Sequence, residues 1–113
     1  MLMNKTLAII GSRCFDDYAL LCAEADSLAP MAIVSGGAPG ADSLARRYAQ
    51  ERAIPIREHL PDKRYGSPAC FHIRNRLIIA DSDVVLAFPR GAGRGTAAAL
   101  ALARRAGKPI IIR

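Results

Sequence analysis

Residues 83–112 read DVVLAFPRGAGRGTAAALALARRAGKPIII: an apolar run, a glycine-rich turn, a stretch of strong helix formers and a second apolar run. That order is one strand–helix–strand unit. The near-continuous Val84-Val85-Leu86 and Ile110-Ile111-Ile112 suit strands of a parallel sheet that is covered on both faces. The intervening AAALALARRA combines high helix propensity with small side chains, so it can lie close on that sheet. Thr96 is placed to cap the helix, and Gly107 with Pro109 to close it.

The same alternation extends toward the N-terminus. Strands are expected at Thr6–Ile10, Ala32–Ser35, Pro55–His59, Asp83–Phe88 and Pro109–Ile112, with the alternating third strand at an edge. Helices are expected at Asp17–Leu28, Ala41–Ala53, Pro68–Ala80 and Ala97–Ala106, with Ser67 as a side-chain cap ahead of Pro68. Right-handed crossovers then give an α/β, Rossmann-like three-layer sandwich with a five-stranded parallel sheet in the order 3-2-1-4-5. Residues 1–113 are read as a single domain, long enough to build a core without staples.

Composition limits the function classes. Three scattered cysteines, Cys14, Cys22 and Cys70, form no CxxC pair, so neither a disulfide framework nor a metal site is expected, and a reducing cytoplasm fits best. No apolar run approaches the length of a membrane span, and the N-terminal stretch is too brief for a signal segment. The net charge is +6, and residues 84–113 carry all of the excess: Arg90, Arg94, Arg104, Arg105, Lys108 and Arg113, with no acidic side chain. Such a balance draws phosphate-bearing partners. Arg104, Arg105 and Lys108 also have a structural reason, since they end a helix, whereas Arg90 and Arg94 lie in a loop where no such account applies.

Seven of the nine glycines follow expected strands 1, 2 and 4: Gly11, then Gly36, Gly37 and Gly40, then Gly91, Gly93 and Gly95. In a parallel sheet these loops open at one end, where helix starts present unpaired N–H groups to an anion. No GxxxxGK[ST] string is present and none of the loops has GxGxxG after strand 1, which argues against a Walker-type ATPase and an ordinary dinucleotide fold.

Ile10-Gly11-Ser12-Arg13 with Phe15 and Asp17, Ser35-Gly36-Gly37-Ala38 through Gly40-Ala41-Asp42, Arg74-Asn75, Ala80-Asp81 and Gly95-Thr96 together resemble the YspA-like, cpYpsA-related branch of the SLOG superfamily. The resemblance implies a Rossmann-like domain that binds nucleotides or nucleotide-derived ligands. Relatives in the superfamily include LOG-type phosphoribohydrolases and, more distantly, DNA processing protein A, which handles single-stranded DNA. Phe71-His72-Ile73-Arg74-Asn75 is similar to the M-H-x-R-K string of the hydrolases, which implies a substrate role for Arg74. Their second string, P-G-G-x-G-T-x-x-E, is matched at Gly93, Arg94, Gly95 and Thr96, but Ala99 stands where the glutamate would be. Cleaving an N-glycosidic bond asks for a carboxylate beside the oxocarbenium-like charge, and alanine cannot supply one.

The expected phosphate-binding set is therefore Gly11, Ser12, Arg13, Gly36, Gly37, Asp42, Arg74, Asn75, Gly93, Arg94, Gly95 and Thr96, with Arg90 as a further cation. Arg74 and Asp42 are the candidate catalytic residues. Asp17 and Asp42 are the substitute carboxylates available, although helix capping is the favoured role for both. Cys14 reads as a small buried thiol, His59 and His72 as edge-strand and helix-surface residues, and Tyr65 as a loop aromatic near the site. Ile73, Leu77 and Ala80 read as an apolar stripe, and Phe71, Leu77 and Ile78 as a surface for self-association into a dimer or larger homo-oligomer. Binding or sensing of a nucleotide-derived small molecule, without a cofactor, is favoured over phosphoribohydrolase activity. Single-stranded nucleic-acid binding ranks third, because few aromatics are available for stacking.

Overall fold

The computed structural model describes residues 5–91 and 93–113. Five strands, β1 (Thr6–Gly11), β2 (Ala32–Ser35), β3 (Ile56–Glu58), β4 (Val84–Phe88) and β5 (Ile110–Ile112), form one parallel sheet in the order β3-β2-β1-β4-β5. The helices are α1 (Tyr18–Leu28), α2 (Ala41–Glu51), α3 (Ala69–Asp81) and α4 (Arg94–Arg105), and a short 3-10 turn spans Lys63–Tyr65. The fold is the Rossmann-like sandwich that the strand and glycine pattern implies. No helix among the described residues is long and apolar enough to cross a membrane.

Alternation along the central strands feeds two cores. Leu7 and Ile9 join Ile33, Leu86 and Phe88 against α1 and α2, while Ala8 and Ile10 join Val34, Val85 and Ala87 against α3 and α4. Burying an isoleucine such as Ile9 contributes roughly 1.5–3 kcal/mol, so these two layers supply much of the drive to fold. The sheet thereby fixes the ends of β1, β2 and β4 beside one another.

Several element starts differ from the sequence expectation, each for a local reason. Gly93 caps α4, which begins at Arg94, so Thr96 lies within the first turn instead of capping it. Gly40 caps α2, and Asp42 sits in its first turn with its side chain turned inward. Asp17 does cap α1, accepting from Leu20 N at 3.1 Å. Pro68 holds the cap position of α3, so Ser67 lies outside the helix and makes no cap bond. Helix α3 buries Cys70, Asn75, Ile78 and Ile79, whereas Leu77 and Ala80 are exposed. The inner face thus lies roughly 160° round the helix from the expected stripe, and Arg74 and Asn75 turn toward the protein. Of the three apolar residues expected on an association surface, Ile78 is core and Phe71 lines a cavity, which leaves only Leu77 in the open.

Candidate functional site

The loops after β1 and β2 are locked together by glycines. A Cβ on Gly11 would stand 2.7 Å from both the Ala41 Cβ and the Phe88 carbonyl oxygen. Gly40 has φ of +80°, and a Cβ there would strike the backbone of Ser12 and Arg13. The close approach allows Ala41 N–H to donate to Ser12 O at 3.2 Å, while Ser12 N–H donates to Phe88 O at 3.1 Å. Loop 1 is thereby pinned between β4 and the start of α2.

The loop then turns outward. Phe15 enters the core and stacks on Phe88 with centroids 4.5 Å apart, so Cys14 is left exposed, contrary to the buried reading. Its Sγ lies 3.0 Å from Ser12 Oγ. The Arg90 guanidinium stands 5.0 Å over the outer side of the Phe15 ring and donates to the carbonyl oxygens of Pro89 and Arg113 at 2.8 and 2.9 Å.

The three loops meet around a cavity of about 620 Å³ at the carboxyl ends of the strands. Gly11, Ser12 and Arg13 line it from loop 1, Asp42 from the start of α2, and Arg74 with Asn75 from α3. Gly93, Arg94, Gly95 and Thr96 line it from the start of α4, where first-turn N–H groups lack intrahelical acceptors. Gly36 and Gly37 do not line it. Gly36 lies behind Arg74 and Asp42, and Gly37, with φ of +70°, faces Leu60. Gly93 and Gly95 have ordinary φ values, and a Cβ on either would touch nothing, so neither fold geometry nor packing demands a glycine there.

Residues outside the expected set complete the wall. Phe71, Pro68 and Ile78 give it an apolar side, and Ala99 lies flush in the wall at 2% exposure. His72 also lines the cavity, while Tyr65 is 60% exposed and does not. His59 lies away from it, paired at 2.5 Å with Asp81. Phe71 and Pro68 escaped sequence reasoning because helix-start apolar residues look the same whether they face a core or a cavity.

The charges in this cavity are unbalanced. Arg13, Arg74, Arg90 and Arg94 face it, against Asp42 as its one carboxylate among the described residues. Arg74 Nη1 donates to Gly36 O at 3.0 Å and Nε to Asn75 Oδ1 at 3.0 Å. Burial lowers the Arg74 guanidinium from its ordinary value, and the nearby Asp42 opposes that shift. Asp42 Oδ2 accepts from Ala38 N–H at 3.2 Å. Burial pushes its carboxyl up to about 6, although the Ala38 N–H, Arg74 and the Gly36 backbone all pull the other way. The remaining C-terminal cations lie elsewhere: Lys108 donates to Ser82 O at 2.6 Å, Arg113 pairs with Glu24 at 3.1 Å, and Arg104 and Arg105 are exposed in the last turn of α4. A second hollow of about 340 Å³ lies across the β4–α4 loop and shares Arg90, Gly93, Arg94 and Thr96 with the first.

The model of the YspA, cpYpsA-related SLOG family matches residues 6–65. The chain is 36% identical to the Gene 61 protein of Mycobacterium phage D29 over 118 aligned residues, which cover 95% of this chain and 94% of that protein. Among solved structures it is similar to DNA processing protein A from Helicobacter pylori, a protein with a single-stranded DNA binding mode, at 27% identity and a TM-score of 0.69. That match covers 96% of this chain but 64% of the Helicobacter protein, so this chain spans less than two thirds of its neighbour's length.

Proposed function

The chain belongs to the YspA, cpYpsA-related SLOG family, and from that premise we propose that it binds a nucleotide or nucleotide-derived ligand at the carboxyl ends of its strands. The observation that carries this reading is the meeting of three distant loops around one cavity lined, among the described residues, by four arginines and one carboxylate residue. Arginine forks suit phosphate oxygens bidentately, and the N-terminus of α4 adds N–H donors and the positive end of a helix dipole. The apolar side formed by Phe71, Pro68 and Ile78 suits an aromatic base better than bare phosphate would require. The volume falls within the range of small-molecule sites. In this reading Gly11, Ser12, Arg13, Asn75, Gly93, Arg94, Gly95 and Thr96 contact the ligand, while Gly36 acts through Arg74.

Binding is favoured over turnover. A phosphoribohydrolase would have to rely on Asp42, because Ala99 offers no carboxylate at the position the hydrolases use. Single-stranded DNA is the second reading. The Helicobacter neighbour favours it, and so does the second hollow, since the two cavities flank a loop bearing Arg90 and Arg94 that an extended polyanion could cross.

The test is mass spectrometry of small molecules carried through native purification, followed by thermal-shift measurements with nucleoside phosphates and ADP-ribose derivatives. A stabilising phosphate compound whose effect is lost in Arg94→Ala supports the nucleotide reading. No stabilisation by any of them, together with steeply salt-dependent retention on single-stranded DNA, replaces it with the second reading.

A further inference from the structure

Resting on the nucleotide reading above, we infer that Asp42 and Arg74, packed together against Gly36, read a sugar hydroxyl, so that the cavity selects a ribose phosphate ester over its deoxy counterpart. A Cβ built on Gly36 would collide with Arg74 Nη1 and stand 3.0 Å from Asp42 Oδ2, which places the guanidinium and the carboxylate against the same backbone atom. Both side chains also line the cavity. Arg74 uses Nη1 and Nε within the protein, and its Nη2 has no partner among the described residues. Asp42 accepts from the Ala38 N–H on Oδ2 and has the Gly36 backbone beside it, which still leaves acceptor capacity on the carboxylate.

The pair therefore offers the cavity one donor and one acceptor side by side. A phosphate oxygen only accepts, so the carboxylate repels it. A lone base amino group only donates, whereas a base edge sets a donor beside an acceptor and fits the same pair, so the comparison of ribo with deoxy forms decides between the two. A hydroxyl does both, accepting from Arg74 while donating to Asp42. Burial reinforces the choice: Asp42 is 8% exposed whereas Arg94 at the start of α4 is exposed, so the anion is held nearer the rim and the hydroxyl deeper. A deoxy sugar would leave Arg74 Nη2 and the remaining acceptor capacity of Asp42 unused in a part-buried place, and sites of that kind discriminate between substrates.

The experiment is equilibrium binding of AMP, CMP, GMP and UMP, each beside its 2′-deoxy and 3′-deoxy forms, to the full chain. At least one ribonucleotide is expected to bind about tenfold or more tightly than one of its deoxy forms. In Asp42→Ala that difference is expected to disappear, because loss of the hydroxyl and loss of the carboxylate remove the same interaction. Asp42→Leu, close in volume and without an acceptor, gives the same reading should the alanine variant not fold. Equal binding of ribo and deoxy forms overturns this inference and leaves the nucleotide reading standing. Discrimination that persists in both variants also overturns it, since another residue then reads the hydroxyl. No binding by any of the twelve compounds overturns this inference, while the nucleotide reading is decided by the wider panel of nucleoside phosphates and ADP-ribose derivatives.

Discussion

Arg74 Nη1 donates to the carbonyl oxygen of Gly36 at 3.0 Å, joining the first turns of α3 to the end of β2 across 38 residues of sequence. The bond holds a cation over the cavity without a salt bridge, so its position depends on backbone geometry. Gly36→Ala is expected to push the guanidinium aside and weaken nucleotide binding with no charge removed from the chain. Arg74→Ala, which also leaves Asn75 Oδ1 without its donor, should lose about 1–3 kcal/mol of stability as well as ligand affinity. Chemical denaturation and ligand titration of the two variants separate these effects.

Asp42 makes stability depend on pH in a direction opposite to most carboxylates. Its folded value of about 6 lies above the unfolded value near 3.9, so between them the folded state binds more protons. Its contribution is therefore most favourable below about pH 4, declines as pH rises to about 6, and stays at its lowest above that. Asp42→Asn is expected to be more stable than the parent at pH 8, by on the order of 2–3 kcal/mol, with the gain gone near pH 4. Denaturation midpoints from pH 4 to 8 check this. A difference that is constant with pH would refute it.

The glycines divide into two kinds. Gly40→Ala is expected to destabilise the protein, because its φ of +80° and the backbone of Ser12 and Arg13 leave no place for a side chain. Gly95→Ala meets open space in the first turn of α4, so it should leave stability unchanged or raise it by up to about 1 kcal/mol. If phosphate approaches this turn closely, the same substitution weakens binding. Melting temperature and affinity should thus move in opposite directions for Gly95→Ala.

Phe15 supports Arg90 as well as the core. Phe15→Leu keeps most of the apolar volume but removes the stack on Phe88 and the ring beneath the guanidinium. A stability loss of about 1–2 kcal/mol is expected from the aromatic contacts. Ligand dissociation should quicken, since Arg90 loses one of its supports. Stopped-flow measurement of dissociation reports this directly.

The strand order and the loop cluster were legible because their signals are local: apolar runs mark β1, β4 and β5, and glycines follow β1, β2 and β4. The helix starts were less so. Asp42 and Thr96 have good capping side chains, yet Gly40 and Gly93 hold those positions. Each polar side chain instead turns inward, Asp42 to the Ala38 N–H and Thr96 to the cavity wall. The orientation of α3 was hidden for a related reason. Its inner face carries Arg74 and Asn75, which are satisfied by each other and by a distant carbonyl that no short-range pattern records. Cys14 and Phe15 show the same limit at one residue's resolution, since which of two neighbours turns inward depends on Phe88 across the sheet.

Position 36 has an evolutionary corollary. A methyl group there would meet the end of the Arg74 side chain and stand 3.0 Å from the Asp42 carboxylate, so a descendant that acquires alanine or serine at that site has to shift the guanidinium from its present place. Homologues with a larger residue at the equivalent place should have lost the arginine more often than those that keep glycine, which a sequence survey can check.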